Sequence, residues 1–283
     1  MFNQKIKIMR KILKLKTIVS LFLALFVIVM INSCKKDEEK DDPPELPPVG
    51  SLLMDFSDFD DPADTISKHK AIETYQNWGH SFVTVAFWNI LATVSMGMPA
   101  LAFAEAVNHQ PVYLGENSWE WSYEITVGPV VYTIKLVTNR VSNEEYIMKM
   151  LVSKSGTQGF DDFKWFEGTV RYDQTSAYWI LYENPSNPNE LLDIDWTMDW
   201  EAGTYTIKYT YIKPGTIENG SYIKHGVTGE SPYDAYYTVS VSMNTVEIEW
   251  NKTTKAGRVK DPFKFGDTDW HCWDENLMDT VCL

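Results

Sequence analysis

From residue 118 to about residue 264 the chain alternates apolar and polar side chains with a period of two. In "WEWSYEITV", Trp119, Trp121, Tyr123, Ile125 and Val127 share one face, and Glu120, Ser122, Glu124 and Thr126 share the other. "LLDIDWTMDW" repeats the pattern, with Leu192, Ile194, Trp196, Met198 and Trp200 opposite Asp193, Asp195, Thr197 and Asp199. "TYTIKYTYI" continues it through Tyr205, Ile207, Tyr209 and Tyr211. Such alternation predicts strands with a single buried face. Further strands are expected over 130–138, 145–153, 162–172, 176–183, 220–226, 235–243 and 245–251. The punctuation between several of them is as short as Gly128-Pro129, Glu201-Ala202-Gly203 or Asn244. Short turns make sequential strands antiparallel neighbours. About ten strands reach the limit of an open twisted sheet, so the meander is expected to curl into a barrel or half-barrel.

Ahead of the strands the period changes. Over 65–97, Ala71, Tyr75, Trp78, Phe82 and Val85 follow the 3-4 spacing of a helix. No charged residue occurs from Phe82 to Ala104. A helix that is apolar all round is buried in a core or in a membrane. Gly97 and Pro99 are expected to end this helix, with a second short one over 100–108. The expected fold class is therefore mainly β with N-terminal helices (α+β), an antiparallel up-and-down meander curled around or against two apolar helices. Met96 and Met98 flank the expected break, and methionine suits adaptable apolar contacts. A ligand pocket is expected there, walled by Trp119, Trp121, Trp196 and Trp200 from the apolar face of the sheet. Plain core packing is the competing role for those tryptophans. The layout resembles lipocalin-like and half-barrel lipoprotein-carrier folds, in architecture only and over roughly residues 65–260.

The N-terminus has a different character. Residues 1–16 are basic, and residues 17–31 (TIVSLFLALFVIVMI) are apolar almost throughout. Asn32, Ser33 and Cys34 follow. This is the layout of a secretory signal peptide, and the run is shorter than the roughly 20 residues of a membrane span. Ile31 at −3 and Ser33 at −1 before Cys34 resemble the lipobox of bacterial lipoproteins, with Asn32 as a departure from the usual small residue. The resemblance implies removal of residues 1–33 and a diacylglyceryl group on the Cys34 sulfur. "KKDEEKDD", residues 35–42, resembles the acid-rich export tag of surface lipoproteins in some Gram-negative bacteria. It implies an outer-membrane, cell-surface location, and a solvated spacer on the periplasmic face is the alternative. Residues 34–50, ending in "PPELPPVG", read as the lipidated cysteine and a disordered acidic, Pro-rich tether. One globular domain is expected over 51–283: helical at 65–108, a β meander at 118–264 and a tail at 265–283.

With Cys34 assigned to lipid, Cys272 and Cys282 remain, and in an oxidising compartment a disulfide between them would close the tail. A metal site of His271, Cys272 and Cys282 is the weaker alternative, because adjacent His and Cys do not readily face one ion. Removing the six basic residues of segment 1–33 leaves 19 basic against 39 acidic residues, a net charge of −20. Such a surface repels phosphate backbones and argues against a nucleic-acid partner. Asp55, Asp58, Asp60, Asp61 and Asp64 invite a calcium reading. Ala63 and His69 occupy the glycine and glutamate positions of an EF-hand loop, so a solvated acidic loop is expected instead. His69, Glu73, Gln76 and His80 form a polar helical stripe that could hold a metal, although such stripes are ordinarily solvated. No nucleophile-elbow, zincin or P-loop motif occurs. No catalytic residue, metal or cofactor is expected. The expected function is a membrane-anchored, non-enzymatic binding module for an apolar ligand or a glycan. A structural or adhesive envelope protein and a glycan-active hydrolase are the alternatives.

Overall fold

The computed structural model describes residues 42–59 and 75–282. Fourteen strands follow one long helix, α1 (Gln76–Glu105). They are β1 (Val112–Gly115), β2 (Ser118–Val127), β3 (Val130–Arg140), β4 (Glu145–Lys154), β5 (Phe160–Arg171), β6 (Ser176–Asn184), β7 (Asn187–Asp199), β8 (Thr204–Tyr211), β9 (Tyr222–Val227), β10 (Ala235–Val241), β11 (Asn244–Trp250), β12 (Gly257–Lys260), β13 (His271–Trp273) and β14 (Asp279–Thr280). A four-residue helix, α2 (Pro262–Phe265), lies between β12 and β13. All fourteen strands form one antiparallel sheet in sequence order, and β1 and β14 do not pair with each other. The fold is thus mostly β, and the sheet is not closed into a barrel. Ten strands had been expected. The four extra ones, β1, β12, β13 and β14, are two to four residues long, too short for an alternation to register.

The alternation sorts the faces as the sequence implies. Trp119, Trp121, Tyr123, Ile194, Trp196, Ile207 and Tyr209 are buried. Cross-strand pairing lines up Trp179, Ile194, Tyr209, Ile223, Val239 and Val246 as one row over β6 to β11. Gly168 makes room for Trp179, since a Cβ there would meet the Tyr178 carbonyl oxygen at 2.0 Å.

Two features cover the buried face. The first is α1, a single helix where two had been expected. It continues through Gly97 and Pro99, and Pro99 is buried within it. Both of its ends are fixed by distant partners. The Asp279 carboxylate accepts from the backbone N–H groups of Gln76 (3.1 Å) and Asn77 (2.9 Å), capping the free donors of the first turn. Near the other end, Tyr123 Oη donates to the Ala102 carbonyl at 2.5 Å, and Phe103 meets Phe166 and Trp179 edge-on. These anchors hold the helix against the sheet across the proline. A Cys272–Cys282 disulfide joins β13 to the end of the tail and so secures the strand pair that carries the Asp279 cap.

The second feature is a strap, residues 43–59. Residues 43–50 had been expected to belong to a disordered tether, and 51–59 to a solvated acidic loop. Instead Pro44, Pro47, Ser51, Leu52, Met54, Phe56 and Phe59 are buried. The strap crosses the sheet, and an aromatic side chain holds it at every second strand from β4 to β10 and again at β11. Tyr146 Oη on β4 donates to the Glu45 carbonyl (2.8 Å), and Trp179 Nε1 on β6 to the Ser51 carbonyl (3.0 Å). Tyr209 Oη on β8 donates to the Leu52 carbonyl (2.9 Å) and accepts from the Met54 N–H (2.6 Å). Tyr237 Oη on β10 donates to the Asp55 carbonyl, and Trp250 Nε1 on β11 to the Asp58 carboxylate (3.0 Å). Tyrosine and tryptophan supply large apolar bodies with one polar atom each. That combination buries the strap while satisfying its backbone. Asp58 also pairs with Lys255, so it is a structural ligand of the sheet. Cys34, His69, Glu73, Asp60, Asp61 and Asp64 lie outside the described residues.

Candidate functional site

A cavity of about 700 Å³ lies where α1 passes β10 and β11. That volume falls in the range of small-molecule sites, about 300–1,000 Å³. The helix contributes Val83, Thr84, Phe87, Trp88 and Leu91, one face over two turns. Val239 and Val241 of β10 and Asn244 and Val246 of β11 form the opposite wall. Tyr211, Glu218, Ser221 and Asp261 complete the lining. The β10–β11 hairpin is a tight one, with Val241 opposite Asn244 and Ser242 at a positive φ of 56°. It therefore sets the three valines in fixed register.

The polar corner is already engaged. Asp261 is buried and caps α2, accepting from the backbone N–H groups of Phe263 (3.0 Å) and Lys264 (3.2 Å). Asn244 Nδ2 lies 2.9 Å from its Oδ1, and His80 Nε2 lies 2.7 Å from its Oδ2. Burial works to raise the Asp261 pKa, but the hydrogen bonds from Asn244, His80 and the two backbone groups outweigh it and hold the carboxyl below its ordinary range. A carboxylate committed to four donors is a positioning group for this corner rather than a proton carrier. His80, the described histidine of the expected metal stripe, is thus tied to Asp261, and Gln76 of the same stripe sits at the capped start of α1. Among the described residues no group of three or more His, Cys, Asp or Glu side chains could hold a metal ion.

Trp88 carries the distinctive chemistry. Its side chain is almost wholly buried and lines the cavity, and its Nε1–H has no hydrogen-bond partner among the described residues. Buried tryptophan nitrogens normally find an acceptor, and leaving one without costs about 1–3 kcal/mol. The site therefore offers apolar walls, with the Trp88 N–H sealed inside the wall rather than open to the cavity. Glu218 and Asp261 place negative charge beside it, with no cation among the described lining residues.

The residues expected to wall a pocket lie elsewhere. Met96 is fully buried, and Trp119, Trp121 and Trp196 are core residues. Met98 is partly buried against the same core. Trp200 is 53% exposed in the turn after β7, donating from Nε1 to the Gln174 carbonyl at 3.0 Å. None of the six lines the cavity. The helix α1 does not break at Gly97–Pro99, and Met96, Trp119, Trp121 and Trp196 belong to the core cluster. The signal for Trp88 was present in the sequence. It falls on the same helical face as Phe82–Val85, and its N–H needs an acceptor that an apolar helix does not supply.

A second buried polar group is internal. His225 on β9 is 1% exposed, stacks on Trp250 and lies between the Tyr236 carbonyl at Nδ1 and the Tyr205 hydroxyl at Nε2, both at 3.0 Å. A carbonyl can only accept, so Nδ1 carries the proton and Nε2 receives the Tyr205 hydrogen. Burial pushes the His225 pKa down to about 4 and pushes Tyr205 up to about 12. This pair is neutral and structural at physiological pH.

Comparison of the chain with family models, with curated proteins and with solved structures finds no match.

Proposed function

We propose that the protein is a lipid-anchored, non-enzymatic binding module of the outer membrane, displayed on the cell surface, that holds an apolar ligand in the cavity between α1 and the β10–β11 hairpin. The observation that carries this reading is the cavity itself, walled mainly by the apolar side chains of Val83, Phe87, Leu91, Val239, Val241 and Val246. An acyl chain or similar apolar body fits such walls. The anchor rests on the sequence around Cys34, and the location on the acidic run that follows it.

A glycan is the less favoured ligand. Sugar platforms need free aromatic faces, and several rings on the exposed side of the sheet are covered by cations. The Lys208 ammonium lies 4.8 Å from the Tyr222 ring centre, Lys224 5.7 Å from Tyr236, and Arg258 4.2 Å from Trp270. The structural or adhesive alternative draws on a different fact: α1 and the strap fill the inner face with the chain's own residues.

Native mass spectrometry of gently purified full-length protein, followed by organic extraction, separates the readings. The binding reading expects an apolar species that co-purifies and leaves on extraction. A protein that purifies bare and takes up no acyl-chain probe favours the structural reading.

A further inference from the structure

The sequence of α1 is apolar all round, and the sheet accounts for only one side of it. Trp78, Val85, Trp88, Ala92, Met96 and Phe103 are buried. On the other side Val83, Phe87, Ile90, Val94, Leu101 and Val107 stay exposed, Val94 to 81% and Phe87 to 58%. From Val83 to Leu101 their spacing of three, four or seven residues makes one continuous stripe down the helix. No Asp, Glu, Lys or Arg occurs between Gln76 and Ala104, so the stripe has no charged rim along the length of the helix. Gln76–Asn108 has a mean hydropathy high enough for a membrane span. With its other side packed on the sheet, it can lie on a bilayer but cannot cross one.

We infer that the outer face of α1 docks in the interfacial layer of the membrane that carries the lipid anchor. Two further observations select a lipid surface over a protein partner. The first is reach. Eight residues separate Cys34 from Pro43, where the strap begins, so an anchored domain is held within about 30 Å of the bilayer. The second is charge. Helix faces that bind helices usually flank the apolar seam with charged residues, whereas an uncharged face suits the acyl boundary, where interfacial helices sit about 5–10 Å deep. The net charge of −20 beyond residue 33 also means that the docking is apolar and is weakened by anionic lipid. Val83 and Phe87 belong both to the stripe and to the cavity wall, so docking sets the cavity against the acyl layer. The inference rests on the anchored reading for the identity of the membrane.

The test uses mature full-length protein reconstituted into phosphatidylethanolamine–phosphatidylcholine vesicles. A nitrobenzoxadiazole label is placed at Val94→Cys, at Phe87→Cys, or at Asp195→Cys as a control on an exposed strand position. With Cys34 acylated and Cys272–Cys282 closed, each variant has a single free thiol. Brominated lipid should quench positions 94 and 87 several-fold more than 195, and part replacement of neutral lipid by phosphatidylglycerol should reduce that difference. Val94→Asp, at a site too exposed to disturb folding, should abolish the quenching at 87. Vesicle-bound protein in which 94 and 87 are no more quenched than 195 overturns docking and leaves the anchor standing. Protein that does not float with vesicles overturns both. A label at 94 that is shielded yet insensitive to bromine, with crosslinks between copies, assigns the face to a second copy and overturns the inference.

Discussion

Tyr209→Phe removes one oxygen atom from the middle of the sheet and should be among the most damaging single changes in the strap system. The side chain is fully buried. Its hydroxyl serves two strap groups at once, donating to the Leu52 carbonyl and accepting from the Met54 N–H. Burial also holds that hydroxyl in its protonated form, so its roles are fixed at any physiological pH. Phenylalanine leaves both backbone groups in an apolar layer with no partner. Each unsatisfied group costs about 1–3 kcal/mol, so a loss of about 3 kcal/mol is expected. For a domain of this size that corresponds to roughly 6–12 °C in Tm. Urea unfolding of the variant beside the wild type gives the number directly. Tyr178→Phe, at a site 40% exposed, is the control and should stay within about 0.5 kcal/mol. A Tyr209→Phe loss no larger than the control's would mean that water reaches Leu52 and Met54, and that the strap is not seated as described.

Three further outcomes follow from other parts of the molecule. His225 stays neutral when folded down to about pH 4, whereas the unfolded chain protonates it near 6.5; stability is therefore full above pH 6.5, falls as the pH drops towards 4, and should lose about 2 kcal/mol between pH 7.5 and 5, most of it absent in His225→Phe. Asp55 and Asp261, held below their ordinary range, add losses of the same sign only at lower pH, and Asp193, raised by its burial, opposes them. Gly168→Ala should destabilise by about 3 kcal/mol or more in the same urea assay, because its Cβ meets backbone at 2.0 Å and the Trp179 ring at 2.5 Å, and neither can move freely; a neutral result would contradict the close approach of β5 and β6. Cys34→Ala should leave an unprocessed, unlipidated precursor, and mass spectrometry of the mature N-terminus decides, with a free terminus at Lys35 in the wild type refuting lipidation.

The legible part of the fold was the part with a long local period. Strands such as β2 and β7 repeat their alternation over ten or more residues, so both their existence and their buried faces follow from sequence. Trp200 leaves its expected face because the alternation runs on past Asp199, where the chain has already turned. Pro99 reads as a stop by local chemistry, yet Asp279 and Tyr123, from 202 residues after Asn77 and 21 after Ala102, hold both sides of the proline in helix. The strap reads as tether for the same reason. Its prolines and acids give no local sign of structure, and the aromatics that fix it lie 101 to 192 residues away. The cavity combines helix residues 83–91 with hairpin residues 239–246, Tyr211 at the end of β8, Glu218 and Ser221 of the loop that follows it and Asp261 before α2, a juxtaposition that no local pattern encodes.

The most direct test of the binding reading is to map where an apolar ligand sits. A long-chain alkyl alcohol carrying a photoreactive diazirine offers an apolar body for these walls. After irradiation of the full-length protein with this probe, peptide mass spectrometry reports the labelled positions. The account predicts saturable labelling confined to the peptides that hold residues 83–91 and 239–246, displaced by excess unlabelled alcohol and weakened several-fold in Phe87→Asp, which puts a charge into the apolar wall. Saturable labelling elsewhere, or labelling that no competitor displaces, would contradict it.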